Sequence, residues 1–361
     1  MGLKLFKSIG CSTLKTIDDS LYIRPMIFIT GGTGLLGMRM VYDLLIEGTP
    51  VRLLRRSESD LALFSSVLDF YHGADSTKLR LNIEWIEGEI LDPTLLEDAI
   101  RNCNYCIHAA AMVSFHPKDR DAMRRVNIEG TANIVNACLA KGDIKLLYIS
   151  SVAALGRIGN SGTIDESHLW KDSPYNSAYA ISKYHAEMEV WRGIEEGLDA
   201  VMVNPSIILG AGDTRKSSGT IFGAVLNGLR FYTDGGASVV DARDVSRIGL
   251  ELLKSSVQSE RYSLNSQSLP YKSLFGMIAE TLGRPKPSIH ASSYLLSIAW
   301  RLAAFKDFIS GSRSPVTQET ALSAKSSYVY ESKKIKEELG YDFRDLKESV
   351  SYYGSYYSKV S

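Results

Sequence analysis

Thr30-Gly31-Gly32-Thr33-Gly34-Leu35-Leu36-Gly37 follows the apolar run Met26-Ile27-Phe28-Ile29 and opens a helical pattern with apolar residues at Leu35, Leu36, Met40, Val41, Leu44 and Leu45. A strand, a glycine turn and a helix N-terminus in that order make a cradle for a pyrophosphate. Glycine admits φ > 0, bare backbone approaches a ligand closely, and the first helical N–H groups point at an anion. The letters fit two registers, G-x-G-x-x-G from Gly32 and G-x-x-G-x-x-G from Gly31. No Gly-Lys-Ser/Thr follows, which excludes a Walker-type phosphate loop.

Working outward, apolar strands alternate with helical patterns as far as Ile208. Strands are predicted at 26–29, 51–54, 83–86, 105–108, 146–149 and 200–203, and helices at 35–46, 95–100, 122–140 and 178–195. This alternation predicts an α/β protein with a doubly wound parallel sheet, the Rossmann fold. Residues 26–210 form the expected dinucleotide-binding domain. Residues 211–361, with helices expected at 246–254, 271–282 and 333–339, form mainly a smaller C-terminal α/β substrate lobe over the carboxyl ends of the strands.

The chain has 361 residues with 41 Lys+Arg and 41 Asp+Glu, so its net charge is zero and it shows no nucleic-acid face. Four cysteines give no disulfide framework in a chain of this size, and Cys103-Asn104-Tyr105-Cys106 lacks the second pair that a zinc site needs. A reduced, cytoplasmic protein without a metal is expected. Residues 1–25 carry mixed charges and no long apolar core, hence neither a secretory signal nor a transmembrane helix. They read as a poorly ordered N-terminal extension, with Met26 the expected start of the functional protein. At 294–309, Arg301 and Lys306 interrupt an apolar pattern; an amphipathic helix covering a pocket is expected, with a peripheral membrane contact the lesser reading.

Two further stretches carry chemistry. The second strand ends in Arg55-Arg56, where a dinucleotide fold commonly shows a carboxylate for the ribose hydroxyls of NAD. Guanidinium forks pair with phosphate, so this end favours the 2′-phosphate of NADP. In the helix at 178–195, Tyr179 and Lys183 stand four residues apart on one face. An ammonium beside a phenol stabilises the phenolate and brings a group of ordinary pKa near 10 toward working pH. The fifth strand ends in Ser150-Ser151 on the cofactor side, where a hydroxyl can polarise a substrate carbonyl. Ser151 is the expected donor, and Ser150 caps or packs.

Together these residues resemble the extended short-chain dehydrogenase/reductase family, also called the NAD-dependent epimerase/dehydratase family, in its dihydroflavonol-reductase-like branch. The resemblance runs from Met26 to about Tyr341. It selects the wider register, with Gly31, Gly34 and Gly37, and Leu35 and Leu36 between them, at the cofactor. It implies Arg55 and Arg56 at the 2′-phosphate, and Ser151, Tyr179 and Lys183 as catalytic groups, with Lys183 also reaching the nicotinamide ribose. His108-Ala109-Ala110-Ala111, Val126-Asn127-Ile128-Glu129-Gly130-Thr131, Asn204-Pro205-Ser206 and Asp241-Ala242-Arg243-Asp244-Val245 fit the same pattern. They imply that Ala109 and Ala110 line the dinucleotide groove, that Pro205 and Ser206 run beside the nicotinamide, and that His108 is a packed strand histidine. Gly88-Glu89-Ile90 stands where many relatives show Gly-Asp, which puts the adenine contact at Glu89 and Ile90. The arginine with which nucleotide-sugar members grip a pyrophosphate is replaced by Gly235-Gly236, which argues against such a substrate.

The resemblance thus implies an NADPH-dependent reduction of a carbonyl, or oxidation of the matching alcohol, on a small to medium organic substrate, with NAD as the other candidate cofactor. The alternatives are a sugar-nucleotide epimerase or dehydratase with tightly held NAD, and a dinucleotide-binding regulator without turnover. A small-molecule substrate is the expected partner, with no nucleic acid and no integral membrane segment; a homodimer is left open. The substrate pocket is expected at 112–116, Leu155, 207–210, Phe222 and the helix near Tyr294.

Overall fold

A computed structural model describes residues 25–360 apart from 158, 160, 311, 312 and 315, so the expectation for the N-terminal extension lies outside the described residues. Seven strands make the main sheet: β1 (Ile27–Thr30), β2 (Val51–Arg55), β3 (Ile83–Glu87), β4 (Tyr105–His108), β5 (Lys145–Ile149), β6 (Asp199–Pro205) and β7 (Glu260–Leu264). Their order is β3-β2-β1-β4-β5-β6-β7 and every pairing is parallel. The strand order reverses between β1 and β4, which opens the ligand crevice of a doubly wound sheet beyond their carboxyl ends.

Period-two alternation divides the core. Ile27, Ile29, Leu53, Leu147 and Val203 face one side with α1 (Leu35–Ile46), while Phe28, Cys106, Leu146, Tyr148 and Met202 face the other. The second side is covered by α2 (Pro93–Ile100), α3 (Gly130–Lys141) and α4 (Ala178–Glu195). Met40, Val41 and Leu44 of α1 are fully buried, and each such side chain contributes about 1.5–3 kcal/mol relative to exposure. Sequence periodicity predicts one helix over 122–140. The structure instead runs Arg120–Arg124, a π turn at Arg125–Glu129, and then α3.

Beyond Gly210 the chain builds small sheets and also returns to the large one. Gly236–Asp241 pairs with Ile207–Leu209 and Gln267–Pro270, and Ser327–Tyr330 pairs with Ser161–Ile164. Helix α5 (Ala242–Lys254) lies on α1, where Ser246 donates to Asp43 at 2.6 Å and Lys254 to Glu47 at 2.6 Å. Strand β7 then completes the main sheet. The helix expected at 294–309 is α6 (Ser293–Ser310), whose Tyr294, Leu295, Ile298 and Leu302 are exposed. Among the described residues no helix is long and apolar enough to cross a membrane. Phe222 is not a pocket wall: it is buried and stacked on Tyr357 of α7 (Leu346–Val360), 4.5 Å between ring centroids.

Candidate active site

The glycine turn lies against the backbone that leaves β4. Gly31 has φ +73, and a Cβ there would sit 2.5 Å from the Ala109 carbonyl carbon and the Ala110 nitrogen. At Gly37 a Cβ would sit 2.0 Å from the Gly31 oxygen, and at Gly34 3.2 Å from it, whereas at Gly32 it would meet the side chains of Leu53, at 3.1 Å, and Val41, at 3.5 Å. Gly34 caps α1 without any side chain, so the first N–H groups of a 12-residue helix point into the crevice with no capping side chain. This cradle fits a pyrophosphate. Leu36 is buried, and Leu35 lies under the Gly210 and Gly212 backbone.

Beneath the cradle, His108 links Thr30 (Nδ1 to Oγ1, 2.7 Å) with Thr131 (Nε2 to Oγ1, 3.0 Å). Thr131 donates its own proton to the Asn127 carbonyl at 2.5 Å, which assigns the histidine proton to Nε2. Burial, with Lys183 adding to it, pulls His108 down to about 3, so it stays neutral. It is a packed strand histidine.

Strand β5 and helix α4 bring the reactive groups together. Ser151 follows β5 and accepts from the Ala153 N–H at 3.2 Å, starting the turn Val152–Leu155. Ser177 caps α4 through the Ala180 N–H at 3.1 Å, and Glu319 takes the Ala178 N–H at 3.2 Å. Burial raises the phenol of Tyr179, on the first turn of α4, and the Ser151 hydroxyl, by favouring the phenolate, opposes this. Phe115 stands edge-on to the Tyr179 ring, 6.2 Å away. Lys183 is 1% exposed, and its Nζ donates to the Tyr148 hydroxyl at 2.8 Å and the Ile149 carbonyl at 2.9 Å. The expected direct pairing with the Tyr179 phenol is not what holds it. Burial pulls Lys183 down to about 7, and Glu187 opposes this.

Glu187 was not anticipated. Fully buried one turn beyond Lys183, it accepts from Ser150 at 2.5 Å, Asn204 at 2.7 Å and Arg261 of β7 at 2.8 Å. Asn204 also donates to the Ser151 carbonyl at 3.0 Å, so one carboxylate braces the serine strand end, β6 and β7 together. The spacing Tyr179, Lys183, Glu187 was the available signal. Asn127, in the π turn, is a second unforeseen brace. Its side chain accepts from the Met112 N–H at 2.7 Å and donates to the Met112 carbonyl at 3.0 Å and Ser182 at 2.9 Å, tying the loop after β4 to α4.

The remaining expected residues lie at or after the carboxyl ends of the strands. At the end of β2, the half-buried Arg55 pairs with Glu87 at 2.8 Å and the exposed Arg56 with Glu58 at 3.1 Å. Glu89 is exposed, and Ile90 packs on Gly130, where a Cβ would lie 2.9 Å from its Cγ2. Pro205 ends β6, and the Ser206 hydroxyl is committed to Asn265 at 3.1 Å. In the loop after β4, His116 Nε2 lies 3.5 Å from Asp307 of α6, which places that helix over the loop. Leu155 joins a small apolar cluster with Val152, Ile164, Tyr328 and Tyr330. Among the described residues no three His, Cys, Asp or Glu side chains gather as a metal-ligand set.

Comparison with known proteins agrees with this arrangement. Residues 27–263 match the NAD dependent epimerase/dehydratase family. A Synechocystis sp. protein provisionally named dihydroflavonol 4-reductase is 30% identical over 337 residues, 90% of this chain and 92% of its own. Sterol demethylase protein B of Methylococcus capsulatus is 28% identical over 265 residues, covering 72% of this chain and 76% of that one. The crystal structure of gox2253 superposes with a TM-score of 0.76 at 28% identity, covering 94% of this chain and 99% of that one. The chain therefore belongs to the NAD dependent epimerase/dehydratase family of extended short-chain dehydrogenases/reductases, in its dihydroflavonol-reductase-like branch.

Proposed function

We propose that this protein is an NADP(H)-dependent oxidoreductase that reduces a carbonyl, or oxidises the matching alcohol, on a small to medium organic substrate. The observation that supports this reading is the convergence of β5 and α4: the buried Lys183, one turn beyond Tyr179 on α4, donates to the Ile149 carbonyl, two residues before Ser151. Residues 26–210 would hold the cofactor and the lobe after 211 the substrate. The free N–H groups of α1 and the Gly31, Gly34 and Gly37 cradle would bind the pyrophosphate, with Ala109 and Ala110 as the facing wall. Arg55 and Arg56 would take the 2′-phosphate once it displaces Glu87 and Glu58. When bound, the cofactor supplies or accepts a hydride.

The protein supplies the proton and the polarisation. Ser151 donates a hydrogen bond to the substrate oxygen as negative charge develops there. Tyr179 gives that oxygen its proton, or removes it in the reverse direction. Lys183, held at the Tyr148 hydroxyl and at the Ile149 carbonyl one residue before the serine pair, places its charge beneath both and leaves its third donor for the nicotinamide ribose. A Tyr179→Phe variant is expected to lose turnover by about 10²–10⁴-fold, the range for removal of a general acid, with NADPH affinity unchanged. Undiminished turnover in that variant would overturn the mechanism.

A further inference from the structure

Arg157 departs from the way the other arginines of this chain are held. Arg39, Arg52, Arg243 and Arg261, all largely buried, pair with Asp43, Glu84, Asp241 and Glu187. Among the described residues, Arg157 is the one arginine below the surface that has no carboxylate partner. Its Nε donates to the Tyr330 hydroxyl at 3.1 Å, and its Cζ lies 4.9 Å from the centroid of the Tyr328 ring. Tyr271 is a third phenol within electrostatic reach. Neutral phenols favour a cation without cancelling its charge. Neither Nη nitrogen donates to any described group, so the fork that fits a carboxylate or phosphate is left over.

The chain holds this side chain deliberately in place. Gly156, at φ +80, turns where a Cβ would sit 3.0 Å from the Trp170 ring, and the next residue is Arg157. Its N–H donates to Asn176 at 2.8 Å, and Asn176 donates in turn to the Lys171 carbonyl at 2.9 Å. The Tyr328 hydroxyl donates to the Gly159 carbonyl. Arg157 therefore stands six residues after Ser151 and is fastened three residues before Tyr179, beside the cluster of Val152, Leu155, Tyr328 and Tyr330.

We propose that Arg157, braced by Tyr330 and Tyr328, is an oxyanion-binding subsite of the substrate pocket, and that the natural carbonyl compound carries a carboxylate or a phosphate. The substrate class rests on the reductase reading above; the anion subsite does not. The protein, saturated with whichever of NADP+ and NAD+ it binds, is titrated calorimetrically with benzoate, phenyl phosphate and neutral benzamide. Benzoate or phenyl phosphate is expected to bind at least tenfold more tightly than benzamide, and the tighter of the two names the anion. Arg157→Met is expected to abolish that preference with unchanged nucleotide affinity, and Arg157→Lys to keep part of it. Tyr330→Phe, which retains the ring, is expected to weaken the anion several-fold without lowering the Tm. An anion preference that is absent from the wild type, or that survives Arg157→Met, overturns the proposal. An Arg157-dependent preference in a protein that oxidises NADPH with no carbonyl compound removes the reductase reading and keeps the subsite. Turnover of neutral aldehydes without any anion preference does the reverse.

Discussion

Replacing Glu187 with glutamine tests the electrostatic design of helix α4 and the proposed role of its lysine. Lys183 and Glu187 are 1% and 0% exposed, so little water screens them from each other. One helical turn separates them by about 6 Å, and two unit charges that far apart interact by about 2.8 kcal/mol at an effective dielectric constant of about 20. That corresponds to about 2 pH units on the lysine. A glutamine with its carbonyl in the Oε2 position still accepts from Ser150 and Asn204, while its amide nitrogen takes the place of the oxygen to which Arg261 donates, so the variant removes the charge and the Arg261 bond together. Other groups face Lys183 as well: Tyr148 from β5, His108 from β4 and Tyr179 from its own helix, with Arg261 of β7 behind the carboxylate. Of these, His108 stays neutral, burial raises the Tyr148 and Tyr179 phenols, and Arg261 carries like charge. Burial already holds Lys183 down to about 7, and Glu187 is what opposes it. Losing the carboxylate lowers the lysine further, so the ammonium is lost at lower pH. With the ammonium required for turnover, the alkaline limb of the kcat profile is expected to move down by about 1–2 units. The assay is NADPH consumption at saturating substrate across pH, with Glu187→Asp expected to restore the limb. A Gln variant with uniformly reduced kcat and a superimposable profile would refute the reasoning, since Glu187 would then be a strut and nothing more.

Two predictions concern the cofactor. Arg56→Asp is expected to weaken NADPH at least tenfold while NADH stays within about twofold, and Glu58→Gln, by releasing Arg56, to tighten NADPH a few-fold; equal effects on both dinucleotides, measured by fluorescence titration, would exclude a 2′-phosphate at this arginine. Gly31→Ala combines a left-handed backbone, worth about 1–2 kcal/mol against an L side chain, with a collision against the Ala109–Ala110 peptide. It is expected to lower the Tm by several degrees and to abolish dinucleotide binding, whereas Gly32→Ala, which meets the side chains of Leu53 and Val41 rather than backbone, is expected to be mild. Indistinguishable melting curves for the two variants would contradict the turn geometry.

Much of the nucleotide half is legible in the sequence because its signals are local. Helices 35–46 and 178–195 are marked by a glycine turn and by Ser177, and the strands by apolar runs that bury both faces. The π turn at Arg125–Glu129 escapes because one extra residue in a turn leaves the apolar pattern intact. Strand Ser161–Ile164 is mostly exposed and finds its partner at Ser327–Tyr330, so nothing nearby in the sequence announces it. Strand β7 reads Glu260-Arg261-Tyr262-Ser263-Leu264, a polar run at the edge of a sheet. At the site, Ser151, Tyr179 and Lys183 stand out as residue types at a meaningful spacing. What holds Lys183 does not: Tyr148 looks like one more core residue, and the Glu187–Arg261 pair joins positions 74 residues apart. Gly235-Gly236 argues against one substrate class through the arginine it lacks, while Arg157 carried no sequence signal until its neighbours were known.

The Glu187–Arg261 pair bears on how such enzymes can be recombined. Strand β7 belongs to the nucleotide-binding sheet, yet the chain reaches it only after passing through the lobe, and Lys145 of β5 is likewise held by the Ser255 and Val257 carbonyls at 2.7 and 2.6 Å. A fragment ending near Gly210 would leave Glu187 as a buried anion without its cation and β6 as a bare edge. A pocket exchanged on this scaffold is therefore bounded by β6 and β7 with Arg261 retained, because a chimera without Arg261 strips Glu187, the carboxylate that supports the charge on Lys183, of its cation.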